Sequence, residues 1–224
     1  MKKISFLNKF KKYLSPQENA GAFEVNDKTI KCFYFEPNTY KISYYDIEQL
    51  KPGTIEKGEI KNLPEFEKTL LKIKNKRKKF FKNNPYIILS LPAENFFTTV
   101  IEVPKDTLNF SNLEDTVKLN IESITPIPLE EGYLDWESIE EEGSENLSIF
   151  TGIGKKSSID IYLSCFYKNG FKVLAVEKPA LGLSRFVFNY SNIKVPYLLV
   201  NIDRDGVDFL IADDKKIYFY DFDE

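Results

Sequence analysis

One pattern constrains this chain more than any other: a strand–turn–strand–turn–strand meander that occurs twice, near the start and near the end. Ala22 to Val25, Thr29 to Glu36 and Lys41 to Ile47 are rich in β-branched and aromatic residues, which suit half-buried strands. Asn26-Asp27-Lys28 supplies the first turn and Pro37-Asn38 opens the second. Tyr197 to Ile202, Val207 to Ala212 and Lys216 to Tyr220 repeat the pattern. Recurrence of a meander of this kind points to a fold built from two related lobes.

Between the meanders the elements alternate. After Pro52-Gly53, the spacing of Phe66, Leu70, Ile73 and Phe80 predicts one helix from about Leu63 to Lys82. Its other face carries Lys68, Lys72, Lys74, Lys76, Arg77, Lys78, Lys79 and Lys82. A phosphate-binding surface is one reading of that run, and a solvated helix face with long lysine stems is the plainer one. Tyr86 to Leu91 is a short apolar strand ending at Pro92. Three antiparallel strands, a helix and a parallel strand open the ribonuclease H-like unit of actin-type domains, so the expected class is α/β with an actin-like lobe.

A second pattern begins at Phe96. Phe96 to Val103 reads as a strand, and Ser111 with Glu114 forms a capping box for a helix striped by Leu113, Val117, Ile121 and Ile124. Pro126 and Pro128 end it. Tyr133 to Ile139 and Leu147 to Ile153 read as strands around the acidic turn Glu140 to Glu145. A helix follows over Ser157 to Asn169 with Gly170 as its left-handed cap, then a closing strand from Phe171 to Val176. Counted through, this is a self-contained β-α-β-β-α-β module inserted into the first lobe. The lobe resumes with a helix from Pro179 to about Tyr190, and the second lobe stops after its first meander. That truncation leads us to expect a fragment of a longer protein. The expected domains are an amphipathic basic helix at 1–16, a first lobe at 20–92 and 178–192, the insert at 93–177, and the start of a second lobe at 195–224.

The first 16 residues place Ile4, Leu7, Phe10 and Leu14 at helical spacing, with Lys2, Lys3, Lys9 and Lys12 largely off that face. Docking on a membrane surface or partner, and docking on the chain's own domain, both fit. Lys9, Lys11 and Lys12 interrupt any apolar core that a signal peptide would need. The chain lacks an apolar run of 18 or more residues.

Histidine is absent, which removes Ser–His and Cys–His nucleophile pairs and imidazole metal sites. Cys32 and Cys165 lie far apart among apolar neighbours and read as buried reduced thiols. Asp135 with Glu137, and the run from Glu140 to Glu142, read as solvated carboxylates rather than an acid–base pair. Gly152-Ile-Gly154-Lys155-Lys156-Ser157 fails the P-loop pattern, because Ile149 stands where its first glycine belongs and Lys156 takes the Ser/Thr position. A net charge of −3 sets up no global field for nucleic acid.

The stretch Ile121-Glu-Ser-Ile-Thr-Pro-Ile-Pro-Leu-Glu-Glu-Gly-Tyr-Leu-Asp-Trp136 resembles the PilM family of type IV pilus assembly proteins, relatives of the cell-division protein FtsA. In that family a helix ends in I-P-F-P-L-E-E before a strand starting L-D-Y or L-D-W. Leu91-Pro92, Asn169-Gly170-Phe171 and Glu177-Lys-Pro-Ala-Leu181 match in order and spacing, so the resemblance covers about Ala20 to Tyr220. It implies an actin-like lobe (subdomain 1A) with an inserted α+β subdomain 1C. It also implies a cytoplasmic scaffold, peripheral to the inner face of the cytoplasmic membrane, in a pilus or related secretion or competence complex. The implied partner is the N-terminal tail of a PilN-like membrane protein, held in the cleft between 1A and 1C. Leu91, Phe96, Phe97, Glu177 and Pro179, at the two chain crossings, are then the candidate anchors, and self-association stays open.

The same resemblance raises nucleotide binding. Its first phosphate hairpin reads close to G-L-D-I-G-S-S-S-I-K, where glycine lets the backbone approach phosphate. Aligned here is Ala22-Phe23-Glu24-Val25-Asn26-Asp27-Lys28-Thr29-Ile30-Lys31, so Glu24 replaces the Asp, Asn26 the second Gly, and Asp27 adds charge. The second hairpin, D-I-G in the family, reads Asn201-Ile202-Asp203, and no Gly-Gly segment for adenosine is present. Neither catalysis nor a cofactor is therefore expected, with ATP and magnesium relevant only to a longer chain. An FtsA-like ATP-binding or ATP-hydrolysing protein is the alternative.

Overall fold

The computed structural model describes residues 20–36, 41–106, 112–139, 143–190, 195–203, 206–213 and 217–223. The expected helix over 1–16, the Pro37-Asn38 turn, the Ser111 cap and the start of the Glu140–Glu145 turn lie outside them. The chain divides into two compact units, one holding residues 20–95 and 157–182, the other 96–156 and 183–223.

The first unit is a five-stranded sheet with helices packed on it. β1 (Gly21–Val25), β2 (Thr29–Phe35) and β3 (Ile42–Gln49) form the antiparallel meander. A two-stranded hairpin, β4 (Ile55–Glu56) and β5 (Glu59–Ile60), follows. Then come α1 (Leu63–Lys76), α2 (Lys78–Asn83) and β6 (Tyr86–Ser90), which pairs with β1 in parallel.

The single helix expected over 63–82 is two. Arg77 leaves helical geometry (φ −142°, ψ 51°), and its N–H donates to Lys74 O at 3.3 Å. The break changes which aromatic faces inward. Phe66, Leu70 and Ile73 are fully buried as expected, but Phe81 replaces Phe80 in the core.

β7 (Phe96–Pro104), α3 (Leu113–Glu122), β8 (Gly132–Ile139) and β9 (Asn146–Lys155) belong to the second unit. They make a three-stranded antiparallel sheet of order β7-β9-β8. Val117 and Ile121 of α3 are buried, and Ile101, Val103, Val117, Leu147 and Ile149 form a core against which Leu113 and Trp136 pack. Asn112 caps α3, its Oδ1 accepting the Glu114 N–H at 3.3 Å. Ile124, expected on the stripe, lies past the helix end and is exposed.

The structure draws the insert's boundary earlier than the sequence pattern does. α4 (Lys156–Lys168) and β10 (Lys172–Glu177) do not close the module. β10 pairs in parallel with β6, giving the first sheet the order β10-β6-β1-β2-β3. The physical cause is the inward stripe of α4: Ile159, Tyr162, Cys165 and Phe166 are buried, and Phe166 meets Phe23 of β1 edge-on at 5.3 Å and Phe171 at 5.7 Å. Each such ring contributes about 1.5–3 kcal/mol by burial, which ties α4 to this sheet. A helix bridging two parallel strands is the usual crossover. Gly170 takes the left-handed cap as expected (φ 78°).

α5 (Pro179–Tyr190) follows β10. The second meander forms as expected: β11 (Tyr197–Ile202), β12 (Val207–Ala212) and β13 (Ile217–Asp223) make an antiparallel sheet. Leu199, Leu210 and Ala212 lie buried on one face, while Leu198, Val200, Ile202, Ile211 and Phe219 are exposed on the other. Among the described residues no helix is long and apolar enough to cross a membrane.

Candidate functional site

In open sheets with parallel strands, ligands gather where the strands end. In the first unit those ends carry the first hairpin and a cross-sheet row of polar residues. Glu24 of β1 pairs in register with Ser90 of β6, and Ser90 with Glu177 of β10. Glu24 is half-buried and accepts from Lys31 Nζ at 2.6 Å. On the strand between the two carboxylates, the buried Ser90 Oγ has no hydrogen-bond partner among the described residues.

The hairpin tip is held from within. Asn26 Oδ1 accepts from Lys28 N (3.1 Å), Thr29 N (2.6 Å) and Thr29 Oγ1 (2.8 Å), and Asn26 N donates to Thr29 O at 3.0 Å. Asn26 therefore closes the turn through its side chain. Lys57 (φ 50°) is the only non-glycine residue with positive φ among those described.

Lys57 and Gly58 (φ 70°) form the two-residue tip of the β4–β5 hairpin, whose left-handed geometry such turns require. Their N–H groups converge on Asp27: Lys57 N donates to Oδ2 at 2.7 Å and Gly58 N to Oδ1 at 3.0 Å. Gly58 O accepts from Tyr162 OH (2.9 Å) and Asn95 Nδ2 (3.0 Å). A Cβ at Gly58 would lie 2.9 Å from Asn95 Nδ2 and 3.1 Å from Pro92 Cβ, so glycine is needed for space as well as for φ. Burial raises the Tyr162 phenol pKa well above its usual range, helped by the charges of Asp27 and Glu94. The surroundings are thus acidic.

The sequence candidates fall into distinct environments. Leu91 is fully buried and its N–H donates to Glu177 O at 3.0 Å, so it joins strand ends and offers no side chain to a partner. Phe96 and Phe97 are half-buried at the start of β7, opposite Gly154 and Ile153 of β9. Glu177 and Pro179 are half-buried at the end of β10 and the start of α5.

The second hairpin belongs to the other unit. Asp203 N donates to Gly206 O at 3.0 Å. Asn201 sits opposite Asp208 and donates to its Oδ2 at 2.9 Å, while Tyr220 OH donates to Oδ1 at 2.6 Å. Sequence reasoning passed over Asp208, a nearly buried carboxylate. Its signal is an acidic residue on the strand face that otherwise carries Leu210 and Ala212. Tyr162, Asn95 and Ser90 were also missed, since nothing in their local sequence marks them.

Elsewhere the carboxylates and thiols are structural. Burial, then the charge of Asp135, raises the Glu137 pKa. Burial pushes the Cys32 thiol up to about 12 and the Cys165 thiol to about 11, as suits reduced core cysteines. No group of three or more metal-ligating side chains occurs among the described residues.

Sheet order, crossover and duplicated meander together define an actin-like fold, and solved structures agree. The cytoplasmic domain of EpsL, an inner-membrane component of the type II secretion system of Vibrio cholerae, superposes with a TM-score of 0.55 at 10% identity, covering 90% of this chain and 70% of that one. A Bacteroides thetaiotaomicron protein with an actin-like ATPase fold gives 0.51 at 10% identity, covering 93% and 71%. A PilM–PilN type IV pilus biogenesis complex gives 0.73 at 16% identity over 92% of this chain. The present chain spans 62% of that neighbour's length. The family model of the type IV pilus assembly protein PilM matches residues 25–196, most of the sequence. The chain belongs to the PilM family. No curated protein shows a significant sequence match.

Proposed function

We propose that this chain is a scaffold of a type IV pilus or related inner-membrane assembly complex, working on the cytoplasmic side by holding the N-terminal tail of a PilN-like membrane protein. The observation that carries the reading is PilM family membership. The similar fold of the chain in a PilM–PilN complex supports it. Phe96 and Phe97, half-buried at the start of β7, are the anchors we assign in the second unit, and Glu177 and Pro179, also half-buried, are those we assign in the first. Leu91 acts from the core by positioning Glu177.

We further propose that the chain does not hydrolyse ATP. Phosphate hairpins work by aiming free backbone N–H groups at an anion. Here the Asn26 side chain already occupies the Lys28 and Thr29 donors of the first hairpin, and Asp27 sets a carboxylate at the same tip. Glu24 and Glu177 add negative charge at the same strand ends. These residues do not fit a magnesium–triphosphate group.

Calorimetric titration of the purified chain with the tail peptide of the PilN-like protein from the same genome tests the first proposal. Saturable binding is expected, weakened roughly tenfold or more by Phe97→Asp. Absence of heat up to millimolar peptide would sink it.

A further inference from the structure

Edge strands present unpaired backbone groups to other chains, and three edges of this protein are closed by the same device. Leu50 N donates to Lys28 O at 2.8 Å, so by alternation Asp46 and Glu48 bond to β2, and Tyr45, Ile47 and Gln49 point off the sheet. The outward Ile47 N–H donates to Asp46 Oδ1 at 3.0 Å. On β8 the Trp136 N–H donates to Asp135 Oδ1 at 3.0 Å, and on β13 the Phe222 N–H donates to Asp221 Oδ1 at 3.0 Å. In each case an aspartate occupies the amide of the residue that follows it. β7 carries Glu102 and Pro104, and β10 carries Lys172, Glu177 and a register shift at Val173 and Ala175.

β11 carries no such device. Asp203 N donates to Gly206 O at 3.0 Å, which makes Asn201–Asp208, Leu199–Leu210 and Tyr197–Ala212 the hydrogen-bonded pairs of the hairpin. The amides and carbonyls of Leu198, Val200 and Ile202 therefore point away from β12. Among the described residues no strand pairs with β11 on that side. The side chains of the same three residues are exposed. Tyr197–Ile202 contains no charged residue, and each outward amide follows Tyr197, Leu199 or Asn201 instead of an aspartate.

An edge of this kind accepts a strand, and its own sequence fits it. Two copies of β11 laid antiparallel about a two-fold axis at Val200 set Leu198 opposite Ile202 and Val200 opposite Val200. That register brings every outward amide to an outward carbonyl and pairs branched apolar side chains on one face. It buries no charge. The other edge of the same sheet, β13, has its Phe222 amide held by Asp221 and also carries Asp223. Pairing therefore ends at two copies, with the open edges joined and the closed ones outside. A two-fold pair satisfies the open edge of both copies at once, whereas a foreign strand satisfies one.

We infer that β11 is a self-association edge, through which two copies of this chain join their three-stranded sheets into one antiparallel sheet. This pairing is separate from the peptide-holding reading and does not depend on it.

The test is sedimentation velocity of the whole chain from about 1 to 300 µM. A monomer–dimer equilibrium is expected, with a Kd of roughly 1–100 µM because one strand pair makes a small interface. Val200→Lys sets like charges opposite each other at the axis and should weaken association at least about tenfold. Val200→Glu should do the same. Mixed together, the two variants should associate again, because position 200 of one copy faces position 200 of the other. If either is unfolded by circular dichroism, Ile202→Lys and Leu198→Glu, whose positions also face each other, replace the pair. A chain that stays monomeric, growth beyond two copies, folded variants that associate like the parent, or a mixture that stays monomeric would each overturn the inference. So would slow hydrogen exchange at Val200 in the monomer, since another segment of the chain would then fill the edge.

Discussion

Asp27 seats its carboxylate on the backbone of Gly58, accepting that N–H at 3.0 Å while its other oxygen accepts the Lys57 N–H at 2.7 Å. The tip of the first hairpin is thereby lashed to the β4–β5 turn across about thirty residues of sequence. A charged acceptor serving two backbone donors is a strong form of hydrogen bond. It explains how the tip of the first hairpin keeps a fixed place: Asp27 anchors it to the backbone of a second turn.

Asp27→Ala should therefore lower the free energy of unfolding by about 1.5–3 kcal/mol, because two donors lose an ionised partner. Urea denaturation of both proteins measures it. A change within a few tenths would mean that water replaces the carboxylate without loss.

Glu48 gives the fold a pH dependence. Burial acts to raise its pKa, but hydrogen bonds and charge from Lys72 and Lys76 outweigh it and hold the group below its ordinary 4.5. A carboxyl lowered in the folded state stabilises above the unfolded value and loses that contribution as pH falls through the folded one. Glu48→Gln should thus be less stable than the parent at neutral pH, and the gap should shrink as pH drops below about 4.5. Urea midpoints across that range check it. A gap constant with pH would contradict the ion-pair account.

Phe166→Ala should destabilise the first unit by about 3–5 kcal/mol, the range for truncating a buried aromatic. Its ring sits among Phe23, Phe66 and Phe171. Hydrogen exchange should quicken in β1 and β6 and stay unchanged in β7, β8 and β9. Faster exchange in β9 instead would return α4 to the inserted module.

Much of this architecture can be read from residue pattern alone. Alternation and turn residues mark β1, β2, β11 and β12 closely, and Gly170 announces its own helix end. Three features resist such reading, for definite reasons. The helix break at Arg77 lies in a run of basic residues with no Gly or Pro, so only tertiary packing of Phe81 over Phe80 decides it. The placement of β10 depends on which strand its partner helix covers, and β-α-β-β-α-β order is the same either way. Asp27 looks like a lone added charge because its partners are backbone groups at Lys57 and Gly58, and side-chain patterns carry no record of those. At the site, Glu24 and Glu177 are visible as residues, but their common row through Ser90 emerges only with the strand register.

The most direct test of the central claim is a pair of thermal melts of this chain, one with saturating PilN-like tail peptide and one with magnesium-ATP. A ligand at about a hundred times its Kd adds about 2.7 kcal/mol to folded-state stability. For a chain of this size that corresponds to roughly 5–10 °C in Tm. A rise of that order is expected with peptide and none with nucleotide. A rise with magnesium-ATP and none with peptide would contradict it.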